Sequence, residues 1–194
     1  MRAWMARRRG PVNAPAAFLD RDGTLNRNRH GVYITRPEQI KLYARVPAAL
    51  RLLAKKGYRL IVLSNQSGIG RGYMTEAASL AINLKLVALL RGEGIALDAI
   101  YFCPHTPEAR CACRKPAPGL LEEALADRRL DLRRSFVAGD KGSDLRLARR
   151  AGLKGYLVMT GAGRAAAAAE KHAAFRDLLA LARAVPDLKD KELK

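Results

Sequence analysis

The sequence Ala16-Ala-Phe-Leu-Asp-Arg-Asp-Gly-Thr-Leu-Asn26 contains the features that decide the fold. Four apolar residues, enough for a short buried strand, run directly into two carboxylates one residue apart, Asp20 and Asp22. Because alternate residues of an extended chain point the same way, both acids can lie together at the carboxyl end of the strand. Two adjacent carboxylates raise each other's pKa unless a cation lies between them. Taken alone, the stretch fits an ordinary Asp-Gly turn as well as a site that holds a metal or a shared proton.

Further along the chain, short apolar segments alternate with helical patterns. Each segment has the composition of a strand buried on both faces. The predicted strands are 16–19, 58–63, 99–102, 135–138 and 155–159. This alternation predicts an α/β fold of the Rossmann-like type, with a central parallel sheet, right-handed crossovers and helices on both faces. No segment between the strands is long enough for a large cap domain.

The helices are predicted from capping residues and apolar spacing. Pro47 suits the first turn of one helix, and Thr75 caps a longer one that ends at Gly92. The buried face of this longer helix is predicted to be an apolar stripe through Leu80, Leu84, Val87 and Ala88. Further helices are predicted at about 120–128, from Ser143 to Gly152, and in an alanine-rich region at about 164–185.

Polar residues stand where several predicted strands end. Asp20, Ser64, Cys103 and Asp140 each directly follow an apolar strand. The carboxyl ends of parallel strands meet at one edge of a sheet, where open α/β sheets bind ligands. We therefore expect these four side chains to surround one site.

Composition predicts one domain of ordinary size with charged ends. The 194 residues suit a single domain over 16–185, with a disordered basic tail at 1–15 and a charged tail at 186–194. No apolar run approaches the roughly 18 residues of a membrane span. The arginines at 7–9 do not precede an apolar signal segment. We expect a cytoplasmic protein without a membrane partner, and a monomer.

The charge balance favours polyanions. Lysine and arginine number 36 against 18 aspartates and glutamates, which gives a net charge of +18. Such a surface attracts nucleic acid or multiply phosphorylated small molecules. Most of the basic residues come in scattered pairs, which favours a small phosphorylated substrate. A nucleic-acid-binding protein remains an open alternative.

The three cysteines of the chain lie within eleven positions, beside a histidine. The segment contains Cys103, His105, Cys111 and Cys113, and the chain has no other cysteine with which to build a disulfide framework. Three thiolates and one imidazole form a closed tetrahedral set, which is typical of structural rather than catalytic Zn²⁺. The predicted zinc site stabilises this loop and positions Arg114 and Lys115.

Three carboxylates at one sheet edge also require a cation. Asp140 joins the first acidic pair, and hard oxygen ligands with room for phosphate suit Mg²⁺. One acid can attack phosphorus while another transfers protons. Ser64 can hold phosphate oxygens, and Lys115, or with less support Lys141, can neutralise charge on the transferring group.

The motifs together resemble those of the haloacid dehalogenase (HAD) superfamily of phosphohydrolases. The resemblance rests on Asp-Arg-Asp-Gly-Thr at 20–24, Ser-Asn at 64–65, Lys115, and Gly-Asp-Lys at 139–141 followed by Asp144. It implies that Asp20 is the nucleophile and Asp22 the general acid and base. It also implies that Mg²⁺ is held by Asp20, the backbone carbonyl of Asp22, and Asp140. Asp144 either supports this site or caps a helix.

The cysteine loop narrows the resemblance to the branch that contains D,D-heptose 1,7-bisphosphate phosphatases and histidinol-phosphate phosphatases. The motifs look closer to those of the heptose enzymes, which implies hydrolysis of the 7-phosphate of D-glycero-D-manno-heptose 1,7-bisphosphate in the synthesis of lipopolysaccharide precursors. The predicted substrate-binding residues are Asn65, Arg71, Arg114 and Lys141. The alternatives are a histidinol-phosphate phosphatase, a nucleic-acid 3′-phosphatase, and a nucleic-acid-binding protein on a phosphatase scaffold.

Overall fold

A computed structural model describes the backbone of residues 2–5 and residues 13–28, 31–127 and 129–188. The strands and helices follow the chain in this order: β1 Arg2–Met5, β2 Ala16–Leu19, α1 Val46–Lys55, β3 Arg59–Asn65, α2 Ser67–Gly70, α3 Glu76–Gly92, β4 Ala99–Cys103, α4 Gly119–Asp127, β5 Phe136–Gly139, α5 Gly142–Arg150, β6 Lys154–Val158, α6 Gly163–Glu170, β7 Ala174–Phe175 and α7 Leu178–Ala184. Three short 3₁₀ turns occupy Pro37–Gln39, Pro107–Ala109 and Leu132–Arg134.

The strands form one sheet in the order β1-β4-β3-β2-β5-β6-β7. All pairs from β4 to β7 are parallel, and only the edge strand β1 runs antiparallel to its neighbour. Phe18 of β2 pairs with Ile61 on one side and Val137 on the other, so β2 lies at the centre. The predicted parallel α/β sheet, covered by helices on both faces, is confirmed.

Alternate residues of β2 enter two separate hydrophobic cores. Ala17 and Leu19 pack in the core that includes residues of α1, α3 and α7. Ala16 and Phe18 pack in the core that includes residues of α4 and α5. The period-2 alternation of side chains therefore buries both faces of the strand, which explains its continuous apolar sequence.

The two termini differ from the prediction. Residues 2–5, which the sequence predicts to be disordered, instead form β1 and pair with β4. This pairing covers a sheet edge whose backbone N–H and C=O groups would otherwise be unpaired. At the other end, Leu188 is buried and its N–H donates to the Lys56 carbonyl, so the predicted charged tail does not start at 186. Residues 6–12 and 189–194 lie outside the described part of the chain.

The prediction of one alanine-rich helix over 164–185 is wrong for residues 171–177, which are not helical. Helix α6 ends at Glu170, and Lys171 adopts a left-handed φ of +48°. The chain then forms β7, which pairs with β6, before α7 begins. The Phe175 ring packs edge-on against Tyr156, with 5.8 Å between ring centroids. Sheet pairing and aromatic packing here outweigh the helix propensity of the alanines.

The long helix α3 has the predicted bounds but a different buried face. Thr75 caps it, accepting a hydrogen bond from the Ala78 N–H at 3.1 Å. Leu80 and Leu84 are exposed by 40% and 45%, so the predicted stripe through them is wrong. The buried side chains are Ser79, Ile82, Asn83, Leu86, Val87 and Leu90. Two of these six are polar, and one of them reaches the site described below.

Candidate active site

The site lies at the carboxyl edge of the sheet, as predicted. Asp20 directly follows β2, and its N–H donates to the Ala138 carbonyl of β5 at 2.9 Å. Ser64 and Cys103 lie at the ends of β3 and β4, and Asp140 directly follows β5. Four neighbouring strands therefore bring these residues to one edge.

Lys115 reaches the Asp20 carboxylate from the loop that follows the cysteines. Its Nζ donates to Asp20 Oδ1 at 2.8 Å and to the Leu63 carbonyl at 2.6 Å, and lies 2.7 Å from Asp144 Oδ1. The Lys115 and Asp20 side chains are only 2% and 4% exposed. A buried ammonium is costly unless its donors are satisfied, and here three oxygens surround it. Lys115 is thus fixed against Asp20.

The charges around Asp20 keep it ionised. Burial raises its pKa, but Lys115 and Lys141 outweigh that effect and hold the pKa well below the ordinary value. The pKa of Lys141 is raised in turn, chiefly by Asp20. An ionised carboxylate is the form that can act as a nucleophile.

The oxygens predicted to hold Mg²⁺ converge on one point. Lys141 Nζ lies 3.5 Å from Asp20 Oδ2, 3.3 Å from the Asp22 carbonyl oxygen and 3.8 Å from Asp140 Oδ1. Within the described residues, Asp140 Oδ1 is buried and accepts no hydrogen bond. Burial raises the pKa of Asp140 to about 7. Carboxylate oxygens of Asp20, Asp140 and Asp144 also lie within 4.8 Å of one another. This donor set, all hard oxygens with one left unpaired, fits Mg²⁺.

Asp144 does both things that its position suggested. Its Oδ2 accepts a hydrogen bond from the Lys141 backbone N–H at 3.1 Å and so caps α5, the helix that the sequence predicts to begin at Ser143. Its Oδ1 pairs with Lys115. Burial raises the pKa of Asp144, although Lys115 opposes that shift.

Asp22 lies in a network that the sequence did not predict. Arg21 donates from Nε to Asp22 Oδ1 at 3.0 Å and from an Nη to Oδ2 at 2.7 Å. Asn26 Nδ2 and Gln66 Nε2 also donate to this carboxylate, at 3.0 and 2.9 Å. Burial raises the pKa of Asp22, but the Arg21 guanidinium and these hydrogen bonds leave it below its ordinary value. Asp22 is therefore ionised and firmly oriented.

The Ser64 hydroxyl is buried beside Gln66 at the end of β3. It is 1% exposed, and its Oγ accepts a hydrogen bond from Gln66 Nε2 at 2.6 Å. Because the amide supplies that proton, the hydroxyl of Ser64 keeps its own proton for another acceptor. The predicted phosphate contact of Ser64 stays a prediction.

The side chain of Asn65 contacts the protein rather than open space. Its Nδ2 donates to the Lys115 carbonyl and its Oδ1 accepts from the Lys115 N–H, both at 3.0 Å. Both ends of the amide are thus used to hold Lys115, and the predicted substrate contact of Asn65 has no support from this geometry.

Two arginines on edge loops border the site. Arg71, at the end of α2, lies 3.5 Å from Glu108, and Arg114 donates to the His105 carbonyl at 3.1 Å. Tyr33, from the irregular segment before α1, packs edge-on against Tyr73 with 5.1 Å between ring centroids. These loops border the edge without forming a separate domain. The substrate contacts predicted for Arg71, Arg114 and Lys141 stay predictions.

The cysteine loop gathers four donor atoms with metal-site geometry. Cys103 Sγ lies 3.6 Å from both His105 Nδ1 and Cys111 Sγ, and Cys113 Sγ lies 3.3 Å from His105 Nδ1 and 3.5 Å from Cys111 Sγ. A tetrahedral site with bonds of about 2.3 Å to sulfur and 2.0–2.1 Å to nitrogen separates its ligands by roughly 3.5–3.8 Å. The spacing of the four atoms is close to this geometry, and all three cysteines are free thiols. The cluster can hold a metal.

Four side chains of the hydrogen-bond network around Asp22 were not predicted from the sequence. These are Arg21, Asn26, Gln66 and Asn83. Arg21 stands between the two acids of the motif and could have been noticed there, but an arginine is rarely fully buried. Gln66 directly follows the Ser64-Asn65 pair, so its position next to a predicted motif could likewise have been noticed. Asn83, 62 residues from Arg21, gave no signal because its contact depends on how α3 packs.

The fold and this site are those of a phosphohydrolase of the HAD superfamily. A family model described as HAD-hydrolase-like matches residues 112–184. A D-glycero-beta-D-manno-heptose-1,7-bisphosphate 7-phosphatase of Helicobacter pylori is 41% identical over 147 residues, which are 75% of this chain and 83% of that protein. The enzyme of the same name from Haemophilus ducreyi is 42% identical over 154 residues, covering 75% and 84%. The chain belongs to this phosphatase family.

A solved structure supports the same assignment. The D,D-heptose 1,7-bisphosphate phosphatase of B. bronchiseptica, crystallised with magnesium and phosphate, superposes with a TM-score of 0.80 at 33% identity. The match covers 87% of this chain and 96% of that one. The chain is thus a phosphoric monoester hydrolase, and the resemblance stated from its motifs is confirmed. In the described residues, no helix has the length and apolar character to cross a membrane.

Proposed function

We propose that this chain hydrolyses the 7-phosphate of D-glycero-D-manno-heptose 1,7-bisphosphate through an aspartyl-phosphate, an acyl phosphate formed on Asp20. The observation that carries the mechanism is the buried contact of 2.8 Å between Lys115 Nζ and Asp20 Oδ1. It holds an ionised carboxylate at the sheet edge, next to a cation that can neutralise an incoming phosphate. The proposed substrate is supported by the relatives at 41% and 42% identity, which are D-glycero-beta-D-manno-heptose-1,7-bisphosphate 7-phosphatases.

In the first step, a carboxylate oxygen of Asp20 forms a bond to phosphorus. The bond between phosphorus and the sugar oxygen breaks, and that oxygen keeps the electron pair. Asp22, which is ionised in the free protein, takes up the proton of the substrate's phosphate monoanion and passes it to this oxygen, so the sugar leaves as an alcohol. Ser64 donates its hydroxyl proton to a phosphate oxygen, and the positive charge of the neighbouring Lys115 stabilises the charge on the phosphoryl group.

In the second step, water removes the phosphoryl group from Asp20. Asp22, now a carboxylate, takes a proton from the water as its oxygen bonds to phosphorus. The bond from phosphorus to Asp20 breaks, the carboxylate is restored, and inorganic phosphate leaves. The fixed orientation of Asp22 allows one residue to serve both steps.

Asp20, the Asp22 carbonyl and Asp140 would hold Mg²⁺, with Asp144 in support. When bound, Mg²⁺ neutralises charge on the phosphoryl group and aligns it with the attacking oxygen. A structural Zn²⁺ would be held by the four donors of the cysteine loop, Cys103, His105, Cys111 and Cys113. Bound there, it would stabilise the loop that leads to Lys115.

Arg71 and Arg114 are the proposed ligands of the phosphate that is retained. Both are on loops at the site edge, and a guanidinium binds phosphate through two hydrogen bonds. The partners they have here, Glu108 and a backbone carbonyl, are weaker ligands for arginine than a dianionic phosphate. An incoming phosphate can therefore replace them.

The test compares three substrates with the Mg²⁺-loaded protein. These are the heptose bisphosphate, histidinol phosphate and a 3′-phosphorylated oligonucleotide. We expect kcat/KM on the heptose bisphosphate to exceed the others by at least about a hundredfold. A preference for histidinol phosphate or for the oligonucleotide would replace the proposed substrate while leaving the mechanism intact.

The mechanism is tested separately with Asp20→Asn, which has nearly the same shape. We expect it to fold, with an unchanged circular dichroism spectrum, and to lose at least about 10⁴-fold in kcat, because the nucleophile is gone. A well-folded Asp20→Asn variant with substantial turnover would contradict the aspartyl-phosphate intermediate. Trapping of ³²P on the wild-type chain, absent in the variant, gives direct evidence.

A further inference from the structure

Helix α3 carries a buried asparagine on the face that packs against the core. Asn83 is 0% exposed and its neighbours on this face include Ile82, Leu86 and Leu90. Burying an amide without full hydrogen bonding costs roughly 1–3 kcal/mol. Packing alone would favour a leucine here, so the asparagine requires another explanation.

The one hydrogen bond of the Asn83 side chain, within the described residues, leads to the site. Asn83 Oδ1 accepts from an Nη of Arg21 at 2.8 Å, while Asn83 Nδ2 is buried without a hydrogen-bond partner. The residue is therefore only half satisfied. This pattern indicates that the Asn83 side chain serves to orient Arg21 rather than to stabilise the fold.

Arg21 passes this constraint on to Asp22. Its guanidinium is 0% exposed and is held by Asn83 at one end and by Gln66 Oε1 at 3.0 Å. Its other edge grips the Asp22 carboxylate with two hydrogen bonds. Because the guanidinium is planar, fixing one end of it also fixes the direction of the two N–H groups that it donates to the Asp22 carboxylate.

We propose that Asn83 is a positioning residue for the proton transfers of Asp22, and that it acts through Arg21. The inference rests on the acid and base role proposed above for Asp22. Removing the Asn83 acceptor leaves a buried guanidinium N–H unpaired, so Arg21 tilts and the Asp22 carboxylate moves from the leaving oxygen. The loss falls on proton transfer and leaves phosphate binding intact.

The test uses two substrates of similar shape, phenyl phosphate and 4-nitrophenyl phosphate. Phenolate is a poor leaving group that needs a proton, whereas 4-nitrophenolate leaves without one. The value of kcat/KM reports the step in which the leaving group departs. We expect Asn83→Leu to lower kcat/KM at least about tenfold on phenyl phosphate but less than about threefold on 4-nitrophenyl phosphate.

Three further variants of α3 make the result specific. Asn83→Asp keeps an acceptor oxygen at the same place and should recover most of the activity on phenyl phosphate. Asn83→Ser is too short to reach Arg21, keeps polarity, and should repeat the substrate-dependent loss if Asn83→Leu does not fold. Ser79→Ala removes the other buried polar side chain of this face, whose Oγ has no hydrogen bond to Arg21 or to any other described residue. It should leave both substrates unaffected.

Asp22→Asn, measured in parallel, separates two kinds of failure. If Asp22→Asn shows the substrate-dependent loss and the Asn83 variants lose activity equally on both substrates, or not at all, the inference about Asn83 is overturned. If Asp22→Asn itself shows no such dependence, the proposed proton-transfer role of Asp22 is overturned, and the inference falls with it.

Discussion

Asn65 and Lys115 are joined by two hydrogen bonds of 3.0 Å that run in opposite directions between one side chain and one peptide backbone. Asn65 ends β3, and Lys115 lies in the loop that follows the cysteine cluster. The pair therefore fixes where the loop meets the sheet. With its backbone held at this point, Lys115 extends its ammonium to Asp20.

We expect Asn65→Ala to reduce both stability and turnover. Two lost hydrogen bonds of about 0.5–1.5 kcal/mol each should lower the free energy of unfolding by about 1–3 kcal/mol. Because Lys115 loses its anchor, kcat should fall at least about tenfold. Denaturant unfolding and steady-state kinetics measure the two effects. Asn65→Asp, which keeps one of the two bonds, should be intermediate, and an Asn65→Ala variant with wild-type kcat would show that the anchor is dispensable.

Gly23→Ala should damage the metal site. Gly23 has a φ of +95°, and a Cβ there would overlap the Asp140 carboxylate. We expect the affinity for Mg²⁺ to fall at least about tenfold, measured by calorimetry, since one carboxylate ligand is displaced. The matched control is Gly94→Ala, which has a similar φ of +73° but no atom within 4 Å of the added Cβ. It should cost about 1–2 kcal/mol of stability from backbone strain and leave Mg²⁺ binding unchanged.

The cysteine cluster predicts a zinc-dependent stability. Protein purified without added metal should contain about one equivalent of zinc by mass spectrometry, and Cys111→Ser should contain far less, because one thiolate ligand is lost. We expect this variant to melt at least about 5 °C lower, since each 1 kcal/mol shifts the Tm of a chain of this size by about 2–4 °C. Wild-type protein with under half an equivalent of zinc and an unchanged Tm would contradict the structural zinc site.

Asp177 should make stability depend on pH away from the active site. It caps α7 by accepting from the Ala180 N–H at 2.8 Å, and it pairs with Arg45 at 2.9 Å. Burial raises its pKa, but the Arg45 and Ala180 hydrogen bonds outweigh this and hold the pKa below the ordinary value. The stabilisation is therefore complete above the unfolded pKa of about 3.9 and is lost as pH falls through the lower folded pKa.

The variant Asp177→Ala tests this pH dependence. We expect it to lose about 0.5–2 kcal/mol at pH 7, the usual value of a helix cap, and to approach the wild type at the lowest pH at which both still fold. A difference between the two proteins that stays constant as the pH falls would show that the charge of Asp177 does not contribute.

The catalytic edge could be predicted from the sequence because its signals are local. Asp20, Ser64, Cys103 and Asp140 each follow an apolar run, and the parallel sheet brings such positions together whatever the loops do. The cysteines and His105 were equally visible, because metal ligands are defined by residue type and spacing. The bounds of the five predicted strands agree with the structure to within two residues for the same reason, whereas β1 and β7 were not predicted.

The support behind that edge could not be predicted, because it depends on packing. The apolar spacing of α3 favoured Leu80 and Leu84 as its buried face, and only the packed structure shows that Asn83 faces the core to meet Arg21. The partners of β1 and β7 are likewise set by free sheet edges rather than by their own residues. Local sequence contains no record of such contacts.

The Lys141 side chain lies where Mg²⁺ is proposed to bind. Its ammonium already lies among the three oxygens proposed to hold the metal. Binding of Mg²⁺ at this proposed site would therefore be an exchange of cations, in which an ion with two charges displaces a side chain with one. An affinity measured for Mg²⁺ would be the difference between two favourable states, and the ammonium of Lys141 already offsets the charge of the acidic cluster when the chain folds without the metal.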